Sequence, residues 1–332
     1  MPPTDYHNSM VTKKQTMATT YASVTSPTDQ KLAQLSELEK MKKGGFWFRP
    51  WRLDDVANLS WIIGIHVLAA FAPFVFDLGA LVVALGLALL TGLGMTLGYH
   101  RLLTHRSFKI SKWIEYMFVY FGALAGQKDP ISWVSTHKSH HKYSETERDP
   151  HSPNEGFWFS HLGWFCYNDY VIAKCGEYSN HVPELRSQWF YRFLHDTYYL
   201  HPIAMGVVLH IYGGFPYVVW GLGIRAVVVC HMTFVVRSVG HIWGERTWNT
   251  FDTSTNNWWT GVLALGEGWH NNHHAFPNSA RHGLEWWQFD LTWEVIKFLE
   301  LTGLAKDVKL PTEAEKRRLL SLGLVQTDDK TI

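Results

Sequence analysis

Eight histidines fall into three tight clusters: His100 and His105 in YHRLLTH, His137, His140 and His141 in THKSHH, and His270, His273 and His274 in WHNNHH. A ninth, His241, precedes the last cluster in GHIWGE. Neutral imidazole is the commonest protein ligand for transition metals. Taken singly, a histidine is more often a satisfied surface or core residue; the grouping is what points to metal. Nine nitrogens exceed what one tetrahedral zinc needs and would serve two ions. Nitrogen-rich ligation suits Fe, Zn, Cu or Ni. Glu145, Asp149, Glu267 and Asn271 stand near the clusters and are candidates to orient imidazoles through the second ring nitrogen.

Spacing decides which histidines share a face. His137, His140 and His141 follow the i, i+3, i+4 rule of a helix, and so do His270, His273 and His274. His100 and His105 do not. On an α-helix five residues turn through roughly 500°, about 140° net. They converge only if the helix frays there or if they feed two neighbouring ions.

The elements that must carry these clusters are largely apolar. Residues 59–76, 79–98, 202–222 and 224–243 read as four transmembrane helices, each near the ~20 residues a span needs. Asp77 and Leu78 alone separate the first two, so the chain forms two tight hairpins. Lys and Arg flank the pairs and are missing from the first turn, which puts both termini and the clusters on the cytosolic or stromal side. Residues 113–126 are too short for a span and read as an interfacial or re-entrant helix. Residues 144–200 read as a soluble cap of short helices. An amphipathic helix is expected near 285–301. The fold class is therefore all-α integral membrane, with a helical cap holding a His-rich dimetal site. His66, His210 and His231 sit inside the spans at no ligand spacing and read as structural. Trp258–Trp259 and Trp286–Trp287 read as interfacial anchors.

Composition narrows the class. Of 332 residues, 46% are hydrophobic and 18% charged, and the net charge is +1, without the basic excess of a nucleic-acid binder. Three scattered cysteines make no disulfide framework. Residues 1–28 are Ser/Thr-rich and read as a disordered tail, with a plastid transit peptide as the alternative and no secretory signal. Residues 29–43 have helical periodicity with Asp29 as cap. Residues 1–45 thus precede a main domain over 46–311, and 312–332 form a charged, frayed tail.

The clusters and the words around them, THRSFK, DPHSP, GFWFSH, GEGWHNNHHAFP and SARHGLEWWQ, resemble the membrane fatty acyl desaturases of the stearoyl-CoA Δ9 type. The likeness runs from about Phe46 to about Pro311 and leans toward the plant, algal and cyanobacterial branch, with its acyl-lipid Δ9 and plastidial Δ7 enzymes. It implies a dinuclear iron centre held by His100, His105, His137, His140, His141, His241, His270, His273 and His274. It implies a kinked acyl tunnel shaped by Gln127, Trp133 and Thr233. Ala84 and Ala88, on the second span, are expected to close that tunnel. The family usually has Asn four residues before the ninth histidine; here that residue is Arg237, which has no lone pair to offer and stays charged.

The implied reaction introduces a cis double bond into a saturated acyl chain, carried on CoA or on a lipid, with O2 as oxidant. No fused cytochrome b5 or flavin motif is present, so electrons must come from a separate cytochrome b5 or ferredoxin. Lys138, Lys142 and Arg148 are candidates to meet that donor or a head group. The endoplasmic reticulum is the expected site, with a plastid membrane as alternative. A di-iron hydroxylase and a non-catalytic membrane protein with a degraded site remain the competing readings.

Overall fold

The structure, a computed structural model, describes residues 36–43, 45, 46, 49 and 51–328. The expected disordered tail and the Asp29 cap lie outside the described residues. Residues up to Trp51 form a unit of their own. It carries a short helix over 36–43, and the Arg49 guanidinium stacks 4.2 Å from the Trp51 ring.

The second unit begins at Arg52. Helix α1 spans Leu53–Ala69. The chain does not pass directly into the next helix, as the sequence suggested. Pro73 starts a single tight turn at Ala72–Phe74, and Asp77 then caps α2, Leu78–Leu93, by accepting from Ala80 N at 2.7 Å. Beyond Leu93 the helix widens. Over Gly94–Thr104 its hydrogen bonds close five residues apart, as from His105 N to His100 O at 3.1 Å.

Helix α3, Lys112–Leu124, packs along this wide segment. The approach is backbone to backbone: a Cβ on Gly94 would lie 2.2 Å from the nitrogen of Gly122. Its other face exposes Trp113, Met117 and Tyr120, as an interfacial helix should. Helix α4, Pro130–Tyr143, carries the second cluster. Asp129 caps it through Ile131 N and Ser132 N, and Pro130 sits at the first turn, where its missing N–H costs nothing.

Among the described residues, three helical runs are long and apolar enough to cross a membrane: Leu53–Phe74, Leu78–Thr104 and Leu200–His241. The last corrects the expected break near residue 223. There the chain stays helical, from α5, Leu200–Val218, into α6, Arg225–Ser238. It reverses instead inside α5, at Gly213–Gly214, where Gly214 takes φ +71° and Pro216 opens the returning arm. Leu209 then packs on Gly221, and Arg225 Nη2 reaches Met205 Sδ at 3.7 Å, the pairing of an antiparallel hairpin. Trp220 Nε1 donates to Val75 O at 3.1 Å, so the turns of both hairpins meet at one end. Ile63, Val67, Val82, Leu85, Val207 and Ile211 are exposed along these runs, an apolar girdle suited to lipid.

The remaining elements close the opposite end. Short helix α7, His270–Ala275, holds the third cluster. Helix α8 covers only Leu291–Leu301, because Asp290 caps it and the Trp286–Trp287 stretch stays a turn. Strand β1, Lys109–Ile110, pairs antiparallel with β2, Ala305–Lys306. The tail is not frayed throughout: α9 runs Glu313–Asp328, started by a reciprocal cap between Thr312 and Glu315. Cys166, Cys175 and Cys230 are buried.

Candidate metal centre

The widened helix is what makes the first histidine pair work. With bonds closing five residues apart, His105 comes nearly over His100, and their ring centroids stand 4.8 Å apart. The α-helical displacement expected from the sequence does not apply.

The nine histidines form two groups. His100, His105, His137, His141 and His273 make one; His140, His241, His270 and His274 make the other, with ligand nitrogens in each within 4.8 Å of one another. The triplets therefore do not act as units. Each sends its i, i+4 pair or its middle member to a different group: His137 and His141 go one way and His140 the other, while His270 and His274 go opposite to His273.

In the five-membered group the Nε2 atoms face one another. The separations are 3.1 Å for His100–His273, 3.2 Å for His105–His137, 3.1 Å for His137–His141 and 2.9 Å for His141–His273. In the other, His241–His270 and His270–His274 are 3.0 and 3.1 Å apart. Neutral imidazoles cannot satisfy one another in such a ring, because each has only one N–H. Donors about 2.1 Å from a shared ion and at right angles would stand about 3 Å apart. That spacing fits transition-metal ions with more than four ligands, and is tighter than the edge of a tetrahedral zinc site. Each group is thus able to hold a metal ion.

Carboxylates hold the outer nitrogens of four of the rings. His100 Nδ1 lies 2.5 Å from Glu267, His140 Nδ1 3.0 Å from Asp149, and His241 Nδ1 3.1 Å from Glu145. Asn271 does not join them. It takes Trp248 N at 2.7 Å and shapes a loop instead. The fourth carboxylate is Asp252, 2.8 Å from His274 Nδ1, which the sequence did not single out because it lies 22 residues away in a loop. His282 and His151 were also missed. His282 lies 3.3 Å from Glu267, and His151 packs tilted against His140, ring centroids 4.4 Å apart. Both stand in the words SARHGLEWWQ and DPHSP, which were the available signal.

These environments favour the ligating forms. Burial, then neighbouring imidazoles, holds His105, His137, His141, His270 and His273 well below the usual histidine range. Burial pushes His274 down to about 4 against the pull of Asp252. Burial resists ionisation of Glu267, but His100 and Arg101 hold its carboxyl well below the usual range. Ligands must be deprotonated to bind metal, and the downward shifts of these imidazoles favour that form.

A narrow cavity opens between the groups, lined among others by Met95, Thr96, His100, Trp133, His137, His140, Thr233, Val236, Arg237 and His270. Of the residues expected to shape a tunnel, Trp133 and Thr233 line it. Gln127 stands behind, donating to Val229 O at 3.0 Å and accepting from Thr233 Oγ1. Ala84 and Ala88 do not reach it; Ala88 packs on the cluster of Met95, Tyr99 and Val229. His66, His231 and His161 form a separate chain, with contacts of 3.0 and 2.9 Å, ending on Ser238. Lys138 is held by Glu184 at 2.7 Å.

Residues 76–304 match the family described as Fatty acid desaturase. The chain belongs to the fatty acid desaturase family. This desaturase is 51% identical over 303 residues to the palmitoyl-monogalactosyldiacylglycerol delta-7 desaturase, chloroplastic, of Arabidopsis thaliana, covering 90% of this chain and 81% of that protein. It is 51% identical over 283 residues to delta-9 acyl-lipid desaturase 2 of the same plant, covering 85% and 92%. It is 52% identical over 286 residues to the icosanoyl-CoA 5-desaturase of Limnanthes douglasii, covering 85% and 80%. The desaturase is thus an oxidoreductase acting on fatty acyl chains.

Proposed function

We propose that the two histidine groups hold two iron ions and that the chain desaturates a saturated acyl group, carried on a lipid or on CoA, at the Δ7 or Δ9 position. The observation that carries this reading is the convergence of nine Nε2-bearing rings into two groups at the head of one cavity. Iron with O2 supplies the oxidant that an unactivated C–H bond requires; no side-chain acid or base can lift such hydrogens.

The chain's own residues do the rest. Glu267, Asp149, Glu145 and Asp252 fix their imidazoles so that Nε2 faces inward. Met95, Val236 and Ala264 give the cavity apolar walls that accept an acyl chain and exclude water. The indole of Trp133 stacks 5.0 Å from the His137 ring, and the Thr233–Gln127 pair fixes the wall opposite. The acyl chain runs in a tunnel whose kink is shaped by Trp133 and Thr233, with Gln127 behind them, and Ala88 and Ala84, on the helix beyond the cavity wall, limit its length.

Electrons come from a separate cytochrome b5 or ferredoxin. The fold-back at Gly213–Gly214 makes two arms of the third apolar run, so four passages leave both termini on the cytosolic or stromal side. The membrane is that of the endoplasmic reticulum or of a plastid. The chloroplastic relative supports the second, and the acyl-lipid and CoA relatives support either carrier.

The test is expression in yeast lacking its own Δ9 desaturase, with acyl chains analysed as methyl esters by gas chromatography and mass spectrometry. New monounsaturated chains are expected, their double-bond position giving the regiochemistry. Hydroxylated chains alone, or no product with either donor supplied, would refute the reading.

A further inference from the structure

The cavity between the histidine groups holds a cation, Arg237, that forms no ion pair among the described residues. Arg237 is 7% exposed and stands one helical turn before His241, on the same face. Its guanidinium lies over the rings of Trp164, Trp133 and Phe234, at 4.7, 5.6 and 5.9 Å. Nη1 donates to Thr233 O at 3.4 Å, and Nε meets no acceptor. Aromatic faces ease the burial of a guanidinium but do not neutralise it. Buried charges are normally paired, because an unpaired one is costly.

The carboxylates nearby are committed elsewhere. Glu267 lines the cavity, but one oxygen takes Arg101 and the other faces His100 and His282. Asp149 takes His140 with one oxygen and Glu145 N with the other.

A second unused group faces the same cavity. His151 is 1% exposed; its Nδ1 stands 3.8 Å from Asp149 Oδ1, beyond hydrogen-bond reach, and among the described residues neither ring nitrogen has a hydrogen-bond partner. Its ring stands 4.4 Å from that of His140. His140 and His270, which also line the cavity, belong to the four-membered group. That group has one fewer imidazole than its neighbour. A divalent ion on four neutral rings would add charge to a cavity that already holds an unpaired guanidinium.

We propose that Arg237 and His151 form a binding site for a small oxyanion of the carboxylate or bicarbonate class, which also completes the ligation of an ion on His140, His241, His270 and His274. An arginine fork matches such an anion. The proposal rests on the reading that both groups hold metal. It makes the two sites unequal: the five-membered group fills by itself, and the four-membered group fills only with the anion.

The experiment uses the full chain, purified in detergent, stripped with a chelator, and reloaded anaerobically with ferrous iron in a buffer free of carboxylates and carbonate. Iron per chain is read by plasma mass spectrometry after desalting, without added anion, with formate, and with bicarbonate. About one retained iron is expected without anion and about two with it. In Arg237→Gln the half-saturating anion concentration should rise about tenfold or more, while Arg237→Lys keeps most of the response. His151→Asn gives an independent variant should Arg237→Gln fail to accumulate. Two irons in the anion-free buffer would overturn the proposal. So would an anion response that Arg237→Gln and His151→Asn leave unchanged. No iron under any condition would overturn the metal reading itself, a distinguishable result.

Discussion

His100 Nδ1 stands 2.5 Å from one oxygen of Glu267, while the other oxygen takes Nε and Nη2 of the adjacent Arg101 at 3.2 and 3.0 Å. One carboxylate thus orients a ligand and anchors the helix that bears it. Glu267→Gln removes the charge and keeps the shape. Iron affinity of the five-membered group should fall about 10- to 100-fold, read by competition with a chelator. An exposed control, Glu285→Gln, should leave it unchanged.

The widened helix carries a second prediction. Gly94→Ala would place a Cβ 2.2 Å from Gly122 N and push α3 off the wide segment. If that segment then closes as an ordinary α-helix, His105 turns about 140° away from His100, and the tightly held iron should be lost. Retention of that iron at wild-type affinity would show that the close approach of α3 is not what aligns the pair.

Asp129 caps α4, the helix of the second cluster, and accepts from His195 Nδ1 at 3.0 Å. That hydrogen bond raises the pKa of His195. A raised folded value means stabilisation fully present below the unfolded pKa, about 6.5, and lost as pH climbs through the folded one. The thermal midpoint in detergent should therefore drop between about pH 6 and pH 8, and His195→Gln should flatten the drop. Asp129→Ala should cost about 1 kcal/mol through the lost cap.

Ala88 lies seven residues before Met95, about 10 Å along the helix from the cavity wall. If the acyl chain ends there, Ala88→Trp shortens the chains the enzyme accepts, at a stability cost of about 1–3 kcal/mol for overpacking. Methyl-ester profiles check it. An unchanged length distribution in an active variant would remove Ala88 from the tunnel.

Much of this was legible from residue types alone. The apolar runs, the Asp caps and the i, i+4 pairs His137–His141 and His270–His274 follow from local rules. Three things did not. The wide helix depends on Gly94 and Gly98 letting α3 approach, a contact between distant segments. The reversal at Gly213–Gly214 hides inside a continuous apolar stretch, where hydropathy has no contrast to offer. Asp252 reaches His274 only through the folding of a loop, and no periodicity points to it.

The partition of each HxxHH helix between the two groups has a mechanical consequence. His140 and His141 are neighbours in the chain, yet they serve different groups, and so do His273 and His274. The two groups are therefore bolted to the same pair of rods. Turning either rod to close one jaw opens the other, so the gap between the sites is gauged by backbone hydrogen bonds rather than by whatever sits in them.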